Sequence, residues 1–411
     1  MKKVIIIGGG AAGTMAAIKA AENGANVLLL EKMNRIGRKM SITGKGRCNI
    51  TNAADVQEII KNIPGNGNFL NSVIQAFDSN DVRNFFESIG VNTKIERGNR
   101  IFPLSDKASD VVDALNKKMK SLNIEVRTGA KVTDLIAREQ KIVGVEIGHK
   151  FERADAVILA VGGASYPETG SMGDGYKMAR KLGHSIEKIL PALVPLETEE
   201  DFVKSLQGLS LRNVRVTLFA DDKRIGQEFG EMMFTHFGIT GPTILTLSRQ
   251  AVFALDGGQF VEVSIDLKPA LTPEQLDARI LRDFEKFKRR TIKNALEDLL
   301  LERLIPIILD LAYIDERKHI DSITQAERRR LLEILQDFRL TITKPRHISE
   351  AIVTAGGVST KEINPKTMES KLISGLYFAG EVVDVDGFTG GFNLQAAFSM
   401  GNAAGTYSAQ E

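Results

Sequence analysis

Four apolar residues, Val4 to Ile7, follow a short charged start and run straight into glycines, the pattern of a strand buried on both faces. Gly8, Gly10 and Gly13 form the turn after it. The alanine-rich stretch Ala11 to Asn23 reads as a helix, and Val27 to Leu30 as a second strand ending at Glu31, so the chain opens with a βαβ unit. Residues 37 to 52 (GRKMSITGKGRCNITN) show no sustained period and predict a loop. From about 70 to 120, two helical stretches flank the turn-rich ERGNRIFP. IEVRTGAKVTDLIA and KIVGVEIGHKFERADAVILAVGG then read as strands and a hairpin running into a second glycine turn, a small antiparallel insertion that returns to a parallel sheet.

Beyond PALVPLE (191 to 197) the character changes. RNVRVTLFADDKRIGQEF predicts a hairpin and QFVEVSIDLKP a further strand. Thr272 to Gln275 and Thr324 to Glu327 have capping-box form, with Pro273 at a first helical position, and leucines and isoleucines at three-and-four spacing predict helices from 272 to 340. The last run, GLYFAGEVVDVDGFTGGFNLQAAFSMGNAAG, reads strand, glycine-rich loop, helix, so the chain returns to complete its first domain. The expected organisation is an α/β protein with a Rossmann-type domain from 1–190 and 345–411, a β-rich insert at 191–271 and a helical subdomain at 272–344.

Composition narrows the partners. The 54 basic and 52 acidic side chains leave a net charge of +2, which names no polyanionic partner, and no nucleic acid is expected. No stretch approaches the ~18 apolar residues of a membrane span, so a soluble protein is expected. The single cysteine, Cys48, cannot form an internal disulfide and suits a reducing cytoplasm. The five histidines show no metal-ligand spacing.

The candidate chemistry begins at Gly8-x-Gly10-x-x-Gly13, which sits between strand and helix with Glu31 eighteen residues after the last glycine. Gly8 permits the tight turn, Gly10 lets the backbone approach a pyrophosphate, and Gly13 allows close helix–strand packing. The helix N-terminus offers free N–H groups and about half a positive charge to phosphates. Glu31 can accept from ribose hydroxyls and disfavours a 2′-phosphate, so FAD or NAD is expected rather than NADP as the bound nucleotide. The returning C-terminal segment favours the longer ligand, FAD. Glu381 or Asp384 could reach its ribityl chain, and Gly390, Gly391 and Asn393 at the start of the last helix could face the flavin, where a helix N-terminus stabilises charge on N1 and C2=O.

Through GGGAAGTMAA, TGKGRCNITN, LAVGGASYPETGSMGDGY, FTHFGITGPTILTLS, AIVTAGGV and GLYFAGEVVDVDGFTGGFNLQ, nearly the whole chain resembles the two-segment FAD flavoproteins related to glutathione reductase and fumarate reductase. Among these it is similar to the bacterial NAD(P)/FAD-dependent oxidoreductase family of HI type, which includes aminoacetone oxidase and a proposed bile-acid reductase. The resemblance implies FAD, redox activity, and a Rossmann domain with a β-barrel-like insert and a helical insert. Carried over by position, it implies that Gly8, Gly10, Ala12, Gly13, Glu31 and Lys32 hold the ADP half, with Arg38 and Lys39 near the phosphates. Val132 would lie by the adenine, and Ala160, Gly162 and Gly163 match a second glycine turn beside the cofactor. Gly380, Glu381, Asp384, Gly391, Asn393 and Gln395 would flank ribityl and flavin.

His236, Arg47 and Tyr166 are the candidate catalytic groups: His236 as a proton donor, Arg47 and Tyr166 as groups that orient a substrate carboxylate or carbonyl. Against His236 stands a satisfied structural role, and against Arg47 and Tyr166 phosphate or backbone binding. Cys48 reads as packing, His184 as structural, and the basic run KFKRR (286 to 290) as a solvated helix face. The expected function is an FAD-dependent oxidoreductase, an NAD(P)H-dependent reductase of a small electron-poor C=C or C=O through flavin N5. NADH or NADPH would then visit as a transient donor, since no second nicotinamide domain is present. The alternatives are an O₂-dependent oxidase of a small amine, an RNA-associated flavoprotein, and a partner-binding flavoprotein without turnover.

Overall fold

The computed structural model describes residues 1–410. It divides into two compact units, Met1–Leu190 with the stretch from Ala351 onward, and Pro191–Glu350. In the first, five parallel strands lie in the order Leu376–Phe378, Ala156–Leu159, Lys3–Ile7, Asn26–Glu31, Glu125–Thr128. The opening apolar run takes the centre, and Val4, Ile5 and Ile6 are fully buried, as a strand covered on both faces must be. The helix Ala11–Glu22 leads out of that strand, and the last helix, Phe392–Ala409, packs on it. Gly401 and Gly405 make this approach possible: a Cβ at either would stand 2.4 Å from Ala12 O or 2.3 Å from Ala16 O. The same unit holds two antiparallel three-stranded sheets, one from Val132–Arg138, Lys141–Ile147 and Lys150–Arg153, the other from Thr51–Asn52, Arg100–Pro103 and Thr93–Glu96.

The segment expected as a loop from 37 to 52 contains helix. Arg38 opens a helical run to Gly46 that is broken where Thr43 takes ψ 151° and Gly44 and Lys45 turn left-handed at φ 58° and 60°. Its regular part is little more than a turn, too short for a 3.6-residue period to show in the sequence.

In the second unit six antiparallel strands close a barrel in the order Leu196–Thr198, Gly238–Thr240, Lys223–Phe234, Ser210–Ala220, Val261–Asp266, Phe338–Pro345. The closing strand comes from the segment read as helical. It pairs with Val261–Ile265 on one side and Leu196–Thr198 on the other. The helices Pro273–Lys286 and Gln325–Gln336 start at the two expected capping boxes, each with both reciprocal bonds formed. Their buried Leu276, Ile280, Leu331 and Leu335 share one apolar cluster with barrel residues Val216, Phe234, Val263 and Phe338. Only Lys286 of the run KFKRR is helical: the helix ends there and Phe287–Arg290 form the turn after it, where the cations oppose the negative helix end. Among the described residues no helix is long and apolar enough to cross a membrane.

Candidate functional site

The three glycines of the first turn do three different things. Gly8 has φ 103°, and a Cβ there would lie 2.4 Å from Ala160 O on the neighbouring strand. Gly13 sits so close to the turn that its Cβ would stand 1.9 Å from Gly8 O. Gly10 differs: nothing lies within 4 Å of the position its Cβ would take. Gly10 is also the N-cap of the first helix, no side chain caps that end, and the first helical N–H to be accepted by its carbonyl is that of Thr14, at 3.0 Å. An open, uncapped helix N-terminus has the free N–H donors and the polarity that a pyrophosphate needs. Beside it, Glu31 ends the second strand and accepts from the N–H of Gly9 at 2.7 Å and of Met33 at 2.8 Å. Both bonds fix the carboxylate at the turn, and each oxygen keeps a lone pair for a ribose hydroxyl. The residues present therefore fit the ADP half of a dinucleotide. Ala12 is within the same first helical turn, and Val132 begins its strand buried, three residues beyond Gly129, whose N–H is bonded to Met33 O.

A second set of residues ties the N-terminal, middle and C-terminal segments together. Lys39 Nζ bonds Glu381 and, at 2.7 Å, Ser165 Oγ. Glu381 Oε1 accepts from Ser165 Oγ at 2.7 Å and from Thr354 N–H at 2.8 Å. Thr354 Oγ1 in turn accepts from the N–H groups of Ala164 and Ser165 at 2.9 and 3.1 Å. Burial pushes the Glu381 carboxyl up, but the Lys39 ammonium and the three hydrogen bonds outweigh it and hold the group below its ordinary range. This network stands against the second glycine turn. A Cβ on Gly163 would meet Thr354 Oγ1 at 2.5 Å, and one on Gly162, at φ 75°, would meet Ser171 Oγ at 2.6 Å. Ser165 and Thr354 were missed as candidates, although each lies inside a quoted motif, GGASY and AIVTAGGV, where a hydroxyl beside a glycine turn is a usable signal.

The remaining candidates divide by what their side chains already do. Lys32 pairs with Asp174 at 2.6 Å, whereas Arg38 has only a 3.5 Å contact to Asn34 and keeps most of its donors. Gly380 and Gly391 are left-handed at φ 80° and 103°, and Gly391 is the uncapped N-terminus of the last helix. The Asn393 carboxamide is spent on Gly387 and Phe388, and that of Gln395 on Thr51, Phe77 and Ser399. These bonds tie Asn393 to the glycine loop and Gln395 to Thr51, Phe77 and its own helix. Asp384 receives Asn66 at 2.8 Å.

Arg47 lies over the Phe102 ring at 3.9 Å and bonds Glu96 at 2.9 Å and Asp106 at 3.2 Å, so its guanidinium is engaged by the hairpin of residues 93–103 and the turn after it. His236 is exposed on a turn of the barrel unit, edge-on to Phe237 at 5.0 Å. Cys48 is fully buried, and burial pushes its thiol up to about 12, the signature of a packed and unreactive group. Tyr166 is half-buried and stands at φ 52°, ψ 61°.

The family described as HI0933-like protein Rossmann domain matches residues 2–407. The 3-dehydro-bile acid delta(4,6)-reductase of Clostridium scindens is 34% identical over 413 residues, covering 100% of both chains. The ribosomal RNA dihydrouridine synthase of Escherichia coli is 29% identical over 395 residues, 96% of this chain and 95% of the relative. Among solved structures, a 3-ketosteroid-delta4-(5alpha)-dehydrogenase from Rhodococcus jostii shares the fold at a TM-score of 0.52 and 16% identity, over 100% of this chain and 97% of that one. The chain therefore belongs to the HI0933-like family of FAD-dependent oxidoreductases.

Proposed function

We propose that this protein binds FAD, takes electrons from NADH or NADPH, and saturates a carbon–carbon double bond conjugated to a carbonyl in a small organic substrate. The observation that carries the cofactor assignment is the open, uncapped helix N-terminus at Gly10 beside the Glu31 carboxylate. FAD, when bound, supplies two-electron hydride chemistry between a nicotinamide and the substrate. The chain's own groups do the rest. The first-turn N–H groups after Gly10 hold the pyrophosphate, Glu31 holds the ribose, and Arg38 contributes a free cation. The Lys39–Glu381–Ser165–Thr354 network fixes the second glycine turn and the C-terminal segment in one geometry, so the binding surface is ordered before the ligand arrives. The N-terminus of the last helix, at Gly391, presents partial positive charge to a flavin edge that gains electrons.

The substrate class rests on chemistry shared by relatives with different names. A reductase acting on a 3-dehydro bile acid at delta(4,6) and an enzyme that makes dihydrouridine both add hydrogen across a C=C conjugated to a carbonyl. The small steroid-like acid is the first reading, because that relative is the more similar of the two along the full chain. Uridine in RNA is the second, favoured by two relatives of that name at 29% identity. No relative named above supports an amine oxidase.

The test is anaerobic. NADH or NADPH should bleach the oxidised-flavin absorbance, and a 3-oxo bile acid unsaturated at C4 and C6 should restore it. Recovery with a uridine-bearing ribosomal RNA fragment instead would select the second reading. A flavin that neither nucleotide bleaches would overturn the reductase assignment.

A further inference from the structure

We infer that the Tyr166 hydroxyl donates a hydrogen bond to the carbonyl oxygen of the substrate whose double bond is reduced. The inference rests on the reductase reading and adds to it the group that polarises the substrate.

The argument starts from backbone that the sequence should avoid. Tyr166 is left-handed at φ 52°, ψ 61°, although it is a bulky aromatic and is followed by Pro167. A side chain of that size is rare in this region, and the residue before a proline is pushed toward extended backbone, so Tyr166 breaks two local preferences at once. Such strain persists only where the surroundings over-determine it. Here they do. The two residues before Tyr166 are pinned through their N–H groups to Thr354 Oγ1, and the Ser165 side chain is held by Lys39 and Glu381. After it, the Tyr166 carbonyl accepts from Thr169 N–H at 2.9 Å and from Thr169 Oγ1 at 2.7 Å. The ring stands 5.9 Å from Lys39 Nζ.

What this rigid frame presents is an accessible phenol hydroxyl that is left open to a ligand. The side chain is half-buried, yet its hydroxyl makes no hydrogen bond to any of the described residues. As a tyrosine the group is a neutral donor at physiological pH, and burial pushes its phenol further up. A neutral, oriented donor is the group that reduction of a conjugated C=C requires, because negative charge gathers on the carbonyl oxygen as the bond to the β-carbon forms.

The experiment uses the FAD-loaded protein and reads its two half-reactions separately in Tyr166→Phe. Bleaching by NADH or NADPH should stay within about twofold of the parent, since that step needs no carbonyl donor. Anaerobic reoxidation by a 3-oxo-Δ4 steroid acid should slow by about 100-fold, the usual consequence of removing one oxyanion donor. Reoxidation by ferricyanide, which has no carbonyl, should be unchanged. Tyr166→Gly separates the hydroxyl from the backbone: glycine takes the left-handed conformation freely, which offsets part of the packing lost with the half-buried ring, so FAD should stay bound while steroid reoxidation is still lost. Steroid reoxidation of Tyr166→Phe within threefold of the parent would overturn the inference and leave the reductase reading standing. Slowed ferricyanide reoxidation, or loss of FAD from the variant, would assign the hydroxyl to the cofactor and also overturn it. If the parent itself is bleached but no carbonyl-conjugated alkene reoxidises it, the reductase reading fails and the inference falls with it.

Discussion

Replacing Gly10 and Gly13 by alanine, one at a time, should produce opposite phenotypes, because the two glycines of one motif are needed for different reasons. At Gly13 a Cβ would stand 1.9 Å from Gly8 O, so the helix must move by about 1 Å to reach a normal contact. Overpacking of that kind costs about 1–3 kcal/mol, or a fall of roughly 3–10 °C in Tm for a unit of this size. At Gly10 the backbone is extended, at φ −82° and ψ −167°, and the Cβ meets nothing within 4 Å. Alanine is a poorer N-cap than glycine by about 0.5–1 kcal/mol, but it lowers the freedom of the unfolded chain by about the same amount, so the apoprotein should change by under about 0.5 kcal/mol. Its methyl group instead occupies the space that a pyrophosphate needs. The assay is thermal unfolding of flavin-stripped protein, followed by titration with FAD. In the parent, FAD at 100 times its Kd should add about 2.7 kcal/mol, and Gly10→Ala should lose most of that increment. Gly10→Ala with unchanged FAD affinity would refute the placement of the phosphates, and Gly10→Ala as unstable without FAD as Gly13→Ala would refute the reading of the open cradle.

Two further outcomes follow from ionisation. Glu381 has a depressed pKa in the folded state, so the stability it contributes is present above the ordinary carboxylate range and is lost as pH falls through the depressed value. Glu381→Gln should cost about 3 kcal/mol near neutrality by leaving Lys39 without its partner, and urea unfolding between about pH 3 and 6 should show a shallower loss of stability with acid than in the parent; parallel pH profiles would refute the assignment. Cys48, whose thiol lies near 12, should stay unlabelled by an aromatic disulfide reagent at about pH 8 and react once urea unfolds the chain. Prompt labelling of the native protein would place it in an accessible loop.

Local signals made the βαβ unit, both capping boxes and the C-terminal strand–loop–helix legible, because each is decided within a few residues by backbone geometry and hydrogen bonding. The helical turn at Arg38 escaped because it is shorter than the period that would reveal it. The motif Gly8-x-Gly10-x-x-Gly13 announced a dinucleotide turn from sequence, yet which glycine packs and which stays open appeared only when Ala160 and Gly8 O took their places. Tertiary structure alone decided the rest. The barrel closes through Phe338–Pro345, a strand whose partners lie far earlier in the chain, and Lys39 meets Glu381 across a separation of 342 residues. A sequence records which side chains are available, whereas their pairing depends on which segments the buried sheet and the last helix bring together. For the same reason the sequence named Asn393 and Gln395 but not the bonds they make in the fold, Asn393 to Gly387 and Gln395 to Phe77 and Ser399.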